Sequence, residues 1–97
     1  MNTNISLRGD EWIEFSESVL RLIEEYTVKQ YGDYPYDIVT EEGPDYCRQQ
    51  IRKYAARLGK NARGPKEELC DCLKIAHYSC MLRGKLKREL EVRDEKM

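Results

Sequence analysis

Glu67 to Leu82, EELCDCLKIAHYSCML, is the most apolar stretch of the chain and constrains its fold more than any other. It follows Gly64-Pro65, precedes Arg83-Gly84, and reads as a helix that is apolar over most of its circumference. A helix of that kind is expected to be central and buried. Its acids Glu68 and Asp71 stand three apart, so they share a face, and that face is expected to look outward. Pro65 suits the first helical turn, and Glu67 and Glu68 lie near the positive end of the helix dipole. The spacing predicts a helix over 65–90 that passes through Gly84, with 91–97 as a frayed, solvated tail.

The rest of the chain supplies two amphipathic partners. After a loose N-terminus, 1–7, the apolar residues Trp12, Phe15, Val19, Leu22, Ile23 and Tyr26 recur at steps of one to four residues, which predicts a first helix over 8–31. Ser6 or Asp10 can cap it, and Gly32 can end it in a left-handed conformation. Its opposite face carries Glu11, Glu14, Glu17, Arg21, Glu24 and Glu25 and is expected to be solvated. A connector over 32–43, rich in tyrosine, is expected to pack back on the helices and offers a pocket wall. Pro44 then opens a second helix over 44–58 with the apolar stripe Cys47, Ile51, Tyr54, Ala55 and Leu58, ended by Gly59. A short loop, 59–64, joins it to the third helix, and two amphipathic helices linked so tightly pack antiparallel.

These elements describe an all-α chain read as one domain, a three-main-helix antiparallel bundle. A monomer of this length buries only about 60–65% of its unfolded surface. Dimerisation is therefore expected to complete a four-helix-type core, with Leu86 and Leu90, one turn apart, available to seal against a second copy. No apolar run reaches a membrane span and the N-terminus lacks the pattern of a signal peptide, so no membrane partner and a cytoplasmic location are expected.

Four cysteines, Cys47, Cys70, Cys72 and Cys80, raise the question of zinc or disulfides. Cys70 and Cys72 project about 200° apart on a helix and do not chelate one ion, and three of the four fall in the apolar segment. They read as small buried hydrophobes in a reducing compartment, with neither zinc nor disulfides expected. His77 reads as a core or boundary histidine.

Charge is segregated. Residues 1–47 hold eleven acids and three bases, a net of −8; residues 48–66 hold seven bases and no acid; the remainder balances. The basic segment, Arg48, Arg52, Lys53, Arg57, Lys60, Arg63 and Lys66, suits either a ligand surface or an acidic partner helix.

Two constellations bear on chemistry. Glu68 and Asp71 have the i, i+3 spacing at which helix carboxylates can share Mg²⁺ with substrate phosphates. Lys53 and Arg57, four apart, can hold phosphates without a metal. The order Tyr34-Pro35-Tyr36-Asp37, then the 44–58 helix, then Glu67-Glu68-Leu69-Cys70-Asp71 resembles the all-α NTP pyrophosphatases, the MazG-like enzymes with their dUTPase-like and phage-encoded relatives, over residues 26–82. The resemblance implies nucleotide binding or Mg²⁺-dependent pyrophosphohydrolysis, with Glu68 and Asp71 on the metal and Lys53 and Arg57 on phosphates. The family's second helix also supplies glutamates in an E-E-x-x-E pattern, where this chain has Gln49, Gln50 and Lys53. An acid of the first helix, Glu14, Glu17, Glu24 or Glu25, would have to complete the metal set, and without one the activity would be degenerate.

Two other readings stand beside it. One is a non-enzymatic, homo-oligomeric interaction module of the phage accessory type, built on the complementary acidic and basic faces. The other is nucleic-acid binding through Arg48, Arg52, Arg57, Lys60 and Arg63 on phosphates.

Overall fold

The computed structural model describes residues 4–33, 43–60 and 63–96. Among these, all regular structure is helical: α1 (Leu7–Leu22), a π turn (Ile23–Thr27), α2 (Val28–Tyr31), α3 (Pro44–Arg57) and α4 (Pro65–Lys96). The chain forms two compact units, residues 1–33 and 34–97. The Tyr34–Asp37 element, most of the tyrosine-rich connector, and Asn61 and Ala62 lie outside the described residues.

In the first unit Ser6 caps α1, its hydroxyl accepting the Gly9 N–H at 3.0 Å. Gly9 is required by space as well, because a Cβ there would stand 2.5 Å from the Ile5 Cγ2 methyl. The acids Glu11, Glu14, Glu17, Glu24 and Glu25 are all exposed, as is Arg21. The single expected first helix contains a π turn, in which the Val28 N–H reaches back to the Ile23 carbonyl. That bond spans five residues, so the turn holds one residue more than an α-turn and shifts everything after it in register. Tyr26, expected on the apolar face, is 52% exposed, while Thr27 and Val28 are half-buried in its place. Trp12 also stands outward, its ring 5.8 Å from that of Phe15. Gly32 ends α2 at φ 85°, in the left-handed region open to glycine, and donates to the Val28 carbonyl.

The second unit is built on the α3–α4 hairpin. Gly59 at φ 79° breaks the chain after α3. Its N–H donates to the Glu68 carboxylate at 2.8 Å, tying the end of α3 to the first turn of α4. Farther along, Tyr54 stacks on Tyr78 with centroids 6.1 Å apart, and Tyr46 meets the edge of Tyr78 at the same distance. Residue 59 is thus level with 68, 54 with 74–78, and 46 with 78, the order of an antiparallel pair.

The third helix departs from expectation in two respects. Asp71, expected to look outward, is fully buried, and Leu69 is 70% exposed. The face that meets α3 is the one through Tyr78, with Glu68 bonded to the end of α3; Asp71 stands seven residues before Tyr78 and three after Glu68. Positions seven apart return to the same side of a helix. The two acids therefore share the packing face, and Leu69 is rotated away from it. Burial is also less complete than expected: most of 67–82 is half-buried, and Cys70 and Cys72 with it, while Cys80 is exposed and Cys47 alone of the four thiols is fully buried. Ala55 on α3 and Leu58 at its C-cap are exposed although the stripe pattern placed them inward. The third helix extends as one α-helix to Lys96.

Candidate functional site

The polar chemistry of the second unit gathers around one aromatic ring. Tyr54 lies on the packing side of α3 and is half-buried against Tyr78. Three cations surround its ring: Lys53 Nζ at 4.9 Å from the centroid, Lys74 Nζ at 5.1 Å and the Arg57 guanidinium at 5.3 Å. Two come from α3, where Arg57 is one turn beyond Lys53; the third comes from α4. Each cation–π contact at a partly exposed ring is worth roughly 0.5–1 kcal/mol and holds the charge near the ring face. No two of these charges lie more than roughly 10 Å apart, about one Debye length at 0.1 M salt.

The ion pairs among the described residues lie elsewhere, at Asp45–Arg48 (3.3 Å), Arg63–Glu67 (3.6 Å) and Lys85–Glu89 (3.6 Å). Lys53, Arg57 and Lys74 thus form a positive cluster without a carboxylate on it among the described residues. Of these, sequence reasoning named Lys53 and Arg57 and missed Lys74. The signal for Lys74 was its place four residues before Tyr78, on the side of α4 facing α3 once Asp71 is taken as inward.

Beneath the cations lies a tyrosine layer. Burial, with Tyr46 beside it and Tyr54 and Cys47 behind, pushes the Tyr78 phenol far above its ordinary value. Burial likewise pushes up the Cys47 thiol and pushes down His77, whose ring is 6.4 Å from that of Tyr78. These shifts favour the neutral form of all three groups at pH 7, and Tyr78 packs directly on Tyr54.

The expected metal pair has other employment. Glu68 is half-buried and accepts the Gly59 N–H; Asp71 is enclosed at 0% exposure and has its own interaction partner. Gln49, which stands where the resembled family has acid, is exposed, and Gln50 is half-buried. Glu14, Glu17, Glu24 and Glu25 belong to the first compact unit. Among the described residues no three His, Cys, Asp or Glu side chains converge as a metal site. A sealed Asp71 and an engaged Glu68 do not fit an ion that must also meet a substrate phosphate.

Of the nucleic-acid candidates, Arg48, Arg52, Arg57, Lys60 and Arg63 are all exposed, with Arg48 and Arg63 held in the local ion pairs above. On the first unit, Arg8, Glu11, Trp12 and Phe15 line an open groove of about 510 Å³ along α1. No described helix is long and apolar enough to cross a membrane. No family model matches the chain, and comparisons with curated proteins and with solved structures return no match.

Proposed function

We propose that this is a phosphate-ligand binding protein, similar to the all-α NTP pyrophosphatases in the use of a helical hairpin, that holds a nucleotide or polyphosphate without hydrolysing it. The observation that carries the reading is the cluster of Lys53, Arg57 and Lys74 around Tyr54. Three like charges this close repel one another, and a polyanion placed among them turns that repulsion into attraction. A guanidinium can fork two phosphate oxygens, while the two ammonium groups act as point charges on flexible stems. Tyr54, already lined by cations, offers a ring edge or face to the remainder of the ligand. The structural roles of Glu68 and Asp71 support the non-hydrolysing form.

The test is titration with inorganic pyrophosphate and with a nucleoside triphosphate, followed by calorimetry and thermal shift, with and without Mg²⁺. Binding is expected without Mg²⁺ and weakened about tenfold in Lys74→Gln, a change of roughly 1.4 kcal/mol. Absence of any shift at millimolar ligand would discard the reading. Mg²⁺-dependent release of pyrophosphate, lost in Asp71→Ala while Asp71→Ala still folds, would instead restore the hydrolytic one.

Nucleic-acid binding is the second reading, favoured by the exposed run Arg52, Lys53, Arg57 and Lys60. It predicts retention of single- or double-stranded DNA that falls steeply with salt and is weakened by Arg52→Ala. Arg52 is not among the cations around Tyr54, so that variant separates the two readings.

A further inference from the structure

The two helices of the hairpin are unequal. At 1.5 Å per residue α3 is about 21 Å long and α4 about 48 Å. Because Tyr46, near the start of α3, is already level with Tyr78, the α4 segment beyond Leu82 extends past α3. On that segment Leu86, Leu90 and Val92 are 50%, 54% and 49% exposed. Leu86 and Leu90 are one turn apart and make a short apolar stripe in line with half-buried Leu82. By helical position Arg83, Lys87 and Asp94 flank the stripe on one side and Lys85 and Glu89 on the other, and Arg93, seven residues beyond Leu86, closes the stripe at its C-terminal end.

These flanks carry charges of both signs. A two-fold contact brings residue i of one copy to residue j of the other and j to i, so the charges must complement one another about a single centre. In an antiparallel pair each flank meets the same flank of its mate. Leu86 then falls opposite Leu90, Arg83 opposite Asp94, and Lys85 opposite Glu89, and the midpoints of all three pairs lie within about one residue of position 88. Four opposite-charge contacts form across the axis against one like-charge contact on the flanks, Lys87 with its own mate, while each Arg93 reaches the mate at the level of residues 82–83, at the edge of the contact, where its guanidinium extends into solvent. The Lys85–Glu89 pair already present within the helix at 3.6 Å becomes part of a four-charge network.

We propose that residues 83–94 of α4 form an antiparallel, two-fold contact with the same segment of a second copy of this chain. The contact is independent of the phosphate site, which lies at the other end of the hairpin. It is small, well below the area of a standard stable interface, so association on the order of micromolar or weaker is expected.

Sedimentation velocity on the full chain, from about 1 µM to several hundred µM, tests it over the range where such a dimer forms. The sedimentation coefficient is expected to rise toward a dimer with concentration, and Leu86→Glu with Leu90→Glu to abolish the rise while leaving the circular dichroism spectrum intact. Arg83→Asp and Asp94→Arg are each expected to weaken association at least fivefold, and the double variant to return it to within twofold of the parent. That rescue reports orientation, because residues eleven apart on one helix lie about 16 Å from each other and do not meet in a parallel pair. A monomer at every concentration, a dimer indifferent to the leucine changes, or failure of the charge swap to rescue would each overturn the proposal.

Discussion

Asp71 is the residue whose environment governs most of the chemistry available to α4. An ionisable group taken wholly out of water must be engaged by its surroundings, because an isolated buried charge costs far more than a neutral residue. Asp71 is fully enclosed and has its interaction partner, which makes it part of the fold. Asp71→Ala is accordingly expected to lower the unfolding free energy by about 1–3 kcal/mol, the cost of stripping a partner from a buried polar contact, measured by urea denaturation. Three more residues set the pH range of stability. Burial lowers the His77 pKa, so the unfolded chain takes up a proton below its ordinary 6.5 that the folded chain resists, and stability is lost as pH falls below that value. Burial raises the Tyr78 pKa, so the unfolded chain releases a proton above its ordinary 10.0 that the folded chain retains, and stability is lost as pH rises beyond it. Burial raises the Cys47 pKa in the same sense from its ordinary 9.0, so a plateau in melting temperature is expected between pH 6.5 and about 9, with the Tyr78 contribution to the alkaline limb following above 10.0. His77→Gln should flatten its acid limb and Tyr78→Phe its alkaline limb; an unchanged profile in both would refute the assignment.

At the scale of elements, a single residue of extra length decides which way the end of the first helical segment faces. The π turn at Ile23–Thr27 places Thr27 and Val28 where Tyr26 would otherwise lie. Removing exposed Glu25 from that turn should convert it to α-helix and keep the face before it and the face after it aligned. Removing exposed Glu17 from within α1 instead rotates the two halves against each other by about 100°. The first deletion is expected to leave the thermal midpoint nearly unchanged and the second to lower it, compared by circular dichroism melts. In the hairpin, the bond from the Gly59 N–H to Glu68 performs the same kind of registration between α3 and α4. Loss of that acceptor in Glu68→Ala should cost roughly 1 kcal/mol, a typical net value for a hydrogen bond, and Glu68→Gln should recover part of it.

For the whole molecule the segregated charge matters more than its sum. The exposed pairs Asp45–Arg48 and Arg63–Glu67 contribute little to stability, being solvated on both partners. The cation cluster at Tyr54 is where charge has a use. Raising salt from about 0.05 to 0.5 M should weaken pyrophosphate binding severalfold and leave the melting temperature of the free protein within a degree or two, since screening acts on the exposed ligand site. Calorimetry at the two ionic strengths checks the first half and a thermal melt the second. The sequence by itself determined the helical class, the starts of the second and third helices at Pro44 and Pro65, the Gly32 boundary and the exposed acidic face of the first segment. All of these follow from local propensity and from periods that a chain carries with it. Lys53 and Arg57 were legible as phosphate candidates for the same reason, being one turn apart on one helix. Only the tertiary structure decided that Lys74 joins them, that Glu68 and Asp71 face inward, that Leu69 faces outward and that a π turn interrupts the first helix. Those outcomes depend on which side of α4 meets α3, and on one residue of register, and an amphipathic pattern that is apolar nearly all round leaves that side open until a partner helix is in place.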